Sequence, residues 1–179
     1  ELSKDADGDG ISEYKRILKL YTRSDSRYSG FYQSYELTGT LLTREVNRLI
    51  LQKKAVYHQW DAKTLSSERE KSLEKMTNQT SFFFSLYTPE RDYNDLNKAN
   101  SIWRVYLEMG GRRYQGKVTK RNDKPVDLTT LFAYHTRWSV PYQVDFEIPT
   151  ETAERNPIRI SFASSLGTSN FDFLPELEQ

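Results

Sequence analysis

Residues Ile102 to Lys120 read IWRVYLEMGGRRYQGKVTK, and the fold is decided here. From Ile102 to Glu108 the side chains Trp103, Val105 and Leu107 alternate with Arg104, Tyr106 and Glu108. That period of two lines one face of a strand with apolar groups and leaves the other polar, so Trp103 is expected in a core. Gly110 and Gly111 then supply the positive φ of a two-residue hairpin turn. The return segment RRYQGKVTK is expected to run back as the second strand.

The same period recurs on both sides. Downstream, YQVDFEI (Tyr142 to Ile148) sets Tyr142, Val144, Phe146 and Ile148 against Gln143, Asp145 and Glu147. IRISF (Ile158 to Phe162) and NFDF (Asn170 to Phe173) follow, with Leu166-Gly167 as the turn between them. Upstream, SFFFSLYT (Ser81 to Thr88) is strand-like, and FYQSYELTGTLL (Phe31 to Leu42) is rich in the aromatic and Thr residues that favour strands. The polar stretch Thr22 to Gly30 is expected to be a connection. Short strands with one apolar face, at this spacing, predict an antiparallel sandwich.

Helical spacing appears in three places among these strands and once before them. ISEYKRILKL (Ile11 to Leu20) puts Ile11, Tyr14, Ile17 and Leu18 on one face. Thr43 to Trp60 carries Val46, Leu49, Ile50, Lys53, Val56, Tyr57 and Trp60 at helical intervals, with Thr43 as N-cap and Glu45 in the first turn. A second helix, Leu65 to Met76 introduced by Thr64, has only Leu65, Leu73 and Met76 to bury, so its distal part is expected in solvent. DLTTLFAY (Asp127 to Tyr134) reads as a short helix capped by Asp127. The expected architecture is α+β: an antiparallel Ig-like β-sandwich with a helical insertion near the N-terminus. Residues 1–20 form an acidic loop and short helix, and 21–179 the sandwich domain with a helical hairpin at about 43–78.

Composition bounds the function. A chain of 179 residues suffices for one domain with a real core. Its 36% hydrophobic content is low, but 13% aromatic compensates, because each ring buries a large area. With 26 basic and 25 acidic residues, no global field points to nucleic acid or an anionic membrane. No apolar run approaches the roughly 20 residues of a membrane span. Without cysteine there are no disulfides, thiol chemistry or thiolate zinc sites. The chain starts at Glu1 rather than Met, so a processed or truncated N-terminus is expected, with a lipid anchor among the forms its leader could take.

One motif carries ion chemistry. In DADGDG, Asp5, Asp7 and Asp9 stand at alternate positions and Gly10 follows, as a tightly curled calcium loop requires. Ile11 occupies the backbone-ligand position, but Arg16 stands where an EF-hand places its bidentate Glu. With an acid two residues beyond Ile11, DADGDGISEY resembles the short calcium loops of thrombospondin type-3 repeats. That resemblance implies calcium held by Asp5, Asp7, Asp9 and Glu13 side chains and the Ile11 carbonyl. It covers about a dozen residues. A weak calcium site favours an extracytoplasmic location, since cytosolic calcium is too low to fill it.

Other candidates carry less. His58 and His135 have no nucleophile elbow near them and are expected as surface or partly buried residues. Asp92 and Asp95 sit in a turn-forming stretch, and Asp145 and Glu147 on a solvated strand face. Arg112, Arg113, Lys117, Lys120 and Arg121 surround Tyr114 as a basic hairpin, but a net charge of +1 argues against nucleic acid as partner. Tyr106, Tyr114 and Trp138 are the candidate ligand-binding aromatics.

The closing ISFASSLGTSNFDF resembles the last hairpin of β-sandwich domains in uncharacterised bacterial lipoproteins. The expected function is therefore a non-enzymatic envelope or secreted domain, structural or protein-binding, with another envelope or surface protein as partner. Its expected location is the periplasm, the outer membrane as an anchored body, or the exterior. The alternative is a carbohydrate-binding module that uses its exposed aromatics.

Overall fold

A computed structural model describes the backbone of residues 6–175 and the side chains of residues 13–175. Its strands form two antiparallel sheets. The first joins β1 (Thr22–Ser29), β2 (Tyr32–Leu42), β3 (Thr80–Tyr87), β7 (Val140–Phe146) and β6 (Lys117–Lys120), in that spatial order. The second joins β5 (Arg112–Gln115), β4 (Arg104–Met109), β8 (Ile158–Ser164) and β9 (Gly167–Phe173). Among the described residues five α-helices accompany them: α1 (Ala6–Leu20), α2 (Arg44–Tyr57), α3 (Ala62–Asn78), α4 (Pro125–Leu131) and α5 (Thr150–Arg155). The chain is thus α+β, with its strands in a sandwich.

β3 explains the layering. Its residues are buried from Thr80 to Leu86, so the usual alternation vanishes because both faces are covered. Phe82, Phe84 and Leu86 point into the core between the sheets, where Phe84 meets Phe162 of β8 edge-on at 4.9 Å. Phe83 points the opposite way and stacks on Phe132 at 3.8 Å. Around it lie Tyr14 and Ile17 of α1, Val46 and Ile50 of α2, and Leu128 of α4. Helices, first sheet and second sheet therefore make three layers with two cores. The outer face of the second sheet is solvated instead. There Arg113, Glu108, Arg159 and Asp172 stand side by side across all four strands as a ladder of alternating charge.

The β4–β5 hairpin turns at Gly110 (φ 57°) and Gly111 (φ 76°), as its sequence predicts, and Trp103 is buried with its indole N–H donating to the Tyr93 carbonyl. The return strand departs from expectation. At Gly116 the chain leaves the second sheet, and β6 pairs with β7 of the first. A Cβ on Gly116 would lie 2.2 Å from Val144 Cγ2 and 2.8 Å from Phe146 Cε1, so only glycine lets the crossing strand press on the core. One alternating run therefore serves two sheets.

Thr22 to Ser29 is also a strand rather than a connection. It is polar because it is an edge whose two faces both find hydroxyls or charges. Thr22 and Ser24 bond Thr40 and Thr38 of β2, while Asp25 accepts from Ser169 of β9 at 2.6 Å and Arg23 lies over the Phe173 ring at 4.6 Å. Thr43 caps α2 as expected, accepting from the Val46 N–H. α3 starts earlier than Thr64, because Asp61 is its cap and accepts from the Thr64 N–H at 2.7 Å. Asp127 falls in the first turn of α4 rather than at its cap, which is Lys124. α1 begins at Ala6, so the backbone of Ala6–Gly10 is helix where a curled loop is expected. Among the described residues no helix is long and apolar enough to cross a membrane.

Candidate functional site

A cleft of about 1030 Å³ opens between the α2–α3 hairpin and the end of the sandwich. Its floor includes Leu41 of β2, Ala153 of α5 and Phe173 of β9, all buried, and its wall carries the exposed Leu73 of α3. Four arginines line it: Arg44 and Arg48 of α2, Arg69 of α3 and Arg155 of α5.

Each element is placed by a local rule. The Thr43 cap starts α2 at the mouth of the cleft, which sets Arg44 and Arg48 one turn apart on the same face. The link between α2 and α3 passes through Gln59 at φ 52°, and α3 then returns along α2, where Asn47 donates to the Met76 sulfur at 3.3 Å. Lys75 anchors the far end of α3 by an ion pair of 2.9 Å to Asp145 of β7.

Three arginines are committed. Glu154 accepts from both the backbone N–H and the guanidinium of Arg44, each at 2.6 Å. Arg48 makes a forked bond to Glu45, whose carboxyl its hydrogen bonds hold below the ordinary range, and lies 3.7 Å from Glu13. Arg155 pairs with Glu151 at 2.6 Å. Arg69 is exposed and, among the described residues, has no hydrogen bond or ion pair. The two carboxylates that line it among the described residues, Glu45 and Glu154, are thus both engaged by arginine. The cleft can hold an anion on Arg69 and an apolar chain against its floor.

The residues singled out from sequence lie elsewhere. Asp5 is outside the described residues. Asp7, Asp9 and Ile11 belong to the α1 backbone, with side chains outside the description, and Glu13 is exposed on α1 facing Arg48. Among the described residues no three His, Asp or Glu side chains converge on one point. Tyr106 is on the outer face of the second sheet beneath the Arg113 guanidinium, at 5.0 Å. Tyr114, opposite Leu107, packs on the inner core instead. Trp138 is exposed in the loop before β7 under Arg137, at 4.6 Å. These three aromatics form no common strip.

Asp145 corrects the reading of its strand face as solvated. Burial pushes its carboxyl up, but bonds from Ser81, Gln143 and Lys75 outweigh this and bring it below the ordinary range. Asp95 accepts from the Ser101 hydroxyl within its turn. In the basic hairpin, Arg113 pairs with Glu108 and Arg121 with Asp123, so the charge is partly spent internally. His58 lies 3.7 Å from Asp127, while buried His135 bonds Ser85 at 2.8 Å and desolvation keeps its pKa low. Both members of the Ser85–His135 pair are buried.

No family model matches the chain, and neither the curated proteins nor the solved structures yield a match. The cleft itself had no signal in the sequence, since its residues are spread from Tyr21 to Pro175 and meet only after the helical hairpin folds back.

Proposed function

We propose that this chain is a non-enzymatic binding domain of a cell envelope or secreted protein, built on an Ig-like sandwich with a helical insertion. Its cleft takes an acidic, amphipathic segment of another envelope or surface protein. The observation that carries this reading is the pairing of Arg69, which has no ion pair among the described residues, with an apolar floor in a cleft whose described carboxylates are tied to arginine. A carboxylate from the partner meets the Arg69 guanidinium, while leucine-like side chains lie along Leu41, Leu73 and Phe173.

The test is binding of a fluorescent peptide that alternates Leu and Glu, beside its Leu-Lys counterpart, to the native chain and to Arg69→Glu. The acidic peptide should bind, weaken with salt, and lose about tenfold or more with the variant. Equal binding of both peptides, or an indifferent variant, sinks the reading.

Calcium belongs to the same reading at Asp5, Asp7, Asp9, Ile11 and Glu13, and it supports the extracytoplasmic location. Binding there requires the first turns of α1 to uncoil into a loop. Melts with calcium, magnesium and chelator, run beside Asp7→Asn/Asp9→Asn, check it. A calcium-specific rise only in the native chain is expected, and superimposed curves remove the argument for location.

A further inference from the structure

We propose that the tip of the β1–β2 hairpin is an interfacial membrane contact, with Phe31 entering the acyl region of a bilayer and Tyr28 and Tyr32 resting at headgroup level. This goes beyond the cleft and is independent of it.

The hairpin protrudes. Pairing of β2 with β3 begins at Glu36 opposite Tyr87, whereas Tyr32 to Tyr35 pair with β1 alone. Tyr35 is still buried against Trp103, and the three residues Tyr32 to Ser34 carry the tip roughly 10 Å beyond it, at about 3.3 Å per residue. Gly30 at φ 61° and Phe31 at negative φ make the two-residue turn of a type II′ hairpin, which puts the phenyl ring at the apex. Phe31 is 103% exposed, Tyr32 82% and Tyr28 63%. No other part of the described surface exposes three aromatics within five residues.

The composition of the tip selects the partner. Tyr28 to Tyr35 reads YSGFYQSY, eight residues without a charge, between Arg27 and Glu36 in a chain that is 28% charged. Charge is what resists transfer into a bilayer, and here there is none to desolvate. The inner side of the backbone is prepared as well: Ser29 opposite Tyr32 and Tyr28 opposite Gln33 continue the ladder to the turn, so the facing polar groups of the two strands enter paired. Tyrosine at the water boundary with phenylalanine beyond it is the order in which these side chains partition across an interface.

The base of the arm is stiff. The Tyr35 hydroxyl bonds Ser169 of β9 at 2.8 Å, Ser169 donates to Asp25, and Asp25 pairs with Arg27 at 2.8 Å. Insertion therefore costs little ordering of the chain. The tip is also convex and two residues wide at its apex. A bilayer accepts such a shape without complementarity, whereas a protein would need a pocket cut to it.

The experiment is sedimentation of the intact chain with vesicles of phosphatidylcholine alone, and of phosphatidylethanolamine with phosphatidylglycerol, for the native chain and Phe31→Ser. Partitioning into both, little changed by salt, is expected, with a loss of roughly ten- to a hundredfold in the variant. Phe31 touches no core residue, so the variant should melt with the native protein. A second variant, Phe31→Trp, should show blue-shifted emission on vesicles and quenching by brominated acyl chains. Absence of partitioning, equal partitioning of Phe31→Ser, or an unshifted Phe31→Trp overturns the proposal and leaves a protein pocket as the occupant of the tip.

Discussion

Replacing Gly116 with alanine tests the crossing strand directly. The new methyl carbon would sit 2.2 Å from Val144 Cγ2 and 2.8 Å from Phe146 Cε1, where carbon atoms normally rest about 3.5–4.0 Å apart. Both neighbours are fully buried and packed among other core side chains, so neither can retreat into solvent. Overpacking of this kind costs about 1–3 kcal/mol. For a chain of this length each kcal/mol lowers Tm by roughly 2–4 °C, so a fall of about 2–12 °C is expected. Val144→Ala alone should also destabilise, through the two methyl groups it removes from the core. The informative measurement is the double variant, because the alanine methyl at 116 then occupies the space that valine vacates. Urea unfolding followed by tryptophan emission should show the double variant less destabilised than the sum of the singles, by about 0.5–3 kcal/mol. A neutral Gly116→Ala, or strict additivity, would refute the idea that the backbone there is pressed against the core.

Three further outcomes are expected. His135 is held neutral by burial, its pKa below the ordinary imidazole value, so the unfolded chain takes up the proton first. Urea stability should accordingly fall as pH drops below about 6.5, and His135→Gln should flatten that slope; an unchanged slope would contradict it. Asp145 is on balance lowered, so its contribution is present above the usual carboxylate range and lost as pH falls through its folded value. Lys75→Met should cost roughly 0.5–1.5 kcal/mol after screening of the half-exposed amine, and hydrogen exchange should quicken in the last turn of α3. Tyr14→Phe removes a 2.6 Å bond from the phenol to the Leu131 carbonyl, which joins α1 to α4. A loss of about 1–3 kcal/mol is expected by calorimetry, since the carbonyl is left buried and unpaired, and a neutral result would mean that water replaces the phenol.

What could be read in advance follows from how local its cause is. Trp103, the Gly110-Gly111 turn and the Thr43 cap act within a few residues, and each stands where the sequence places it. β1 escaped notice because alternation betrays a strand only when one face is apolar. Arg23 and Asp25 face the second sheet while Thr22 and Ser24 face hydroxyls, so both sides read as polar. α5 is six residues long with only Thr150 and Ala153 buried, too little for a helical pattern to register. Asp145 looked solvated because Lys75, which covers it, is seventy residues away on another element. The cleft was invisible for the same reason, as Arg69 gains meaning only beside Phe173.

The passage of one strand through Gly116 has a mechanical consequence. At that edge the two sheets share a continuous main chain, while at the opposite edge side chains alone join β1 to β9, through Asp25, Ser169 and Arg23. The sandwich is bound like a book, with a covalent spine and a polar clasp. Any force or thermal fluctuation that parts the sheets opens the clasp first. The clasp is also the root of the aromatic arm, so a load applied at Phe31 passes through Tyr35, Ser169 and Asp25 on its way to the second sheet.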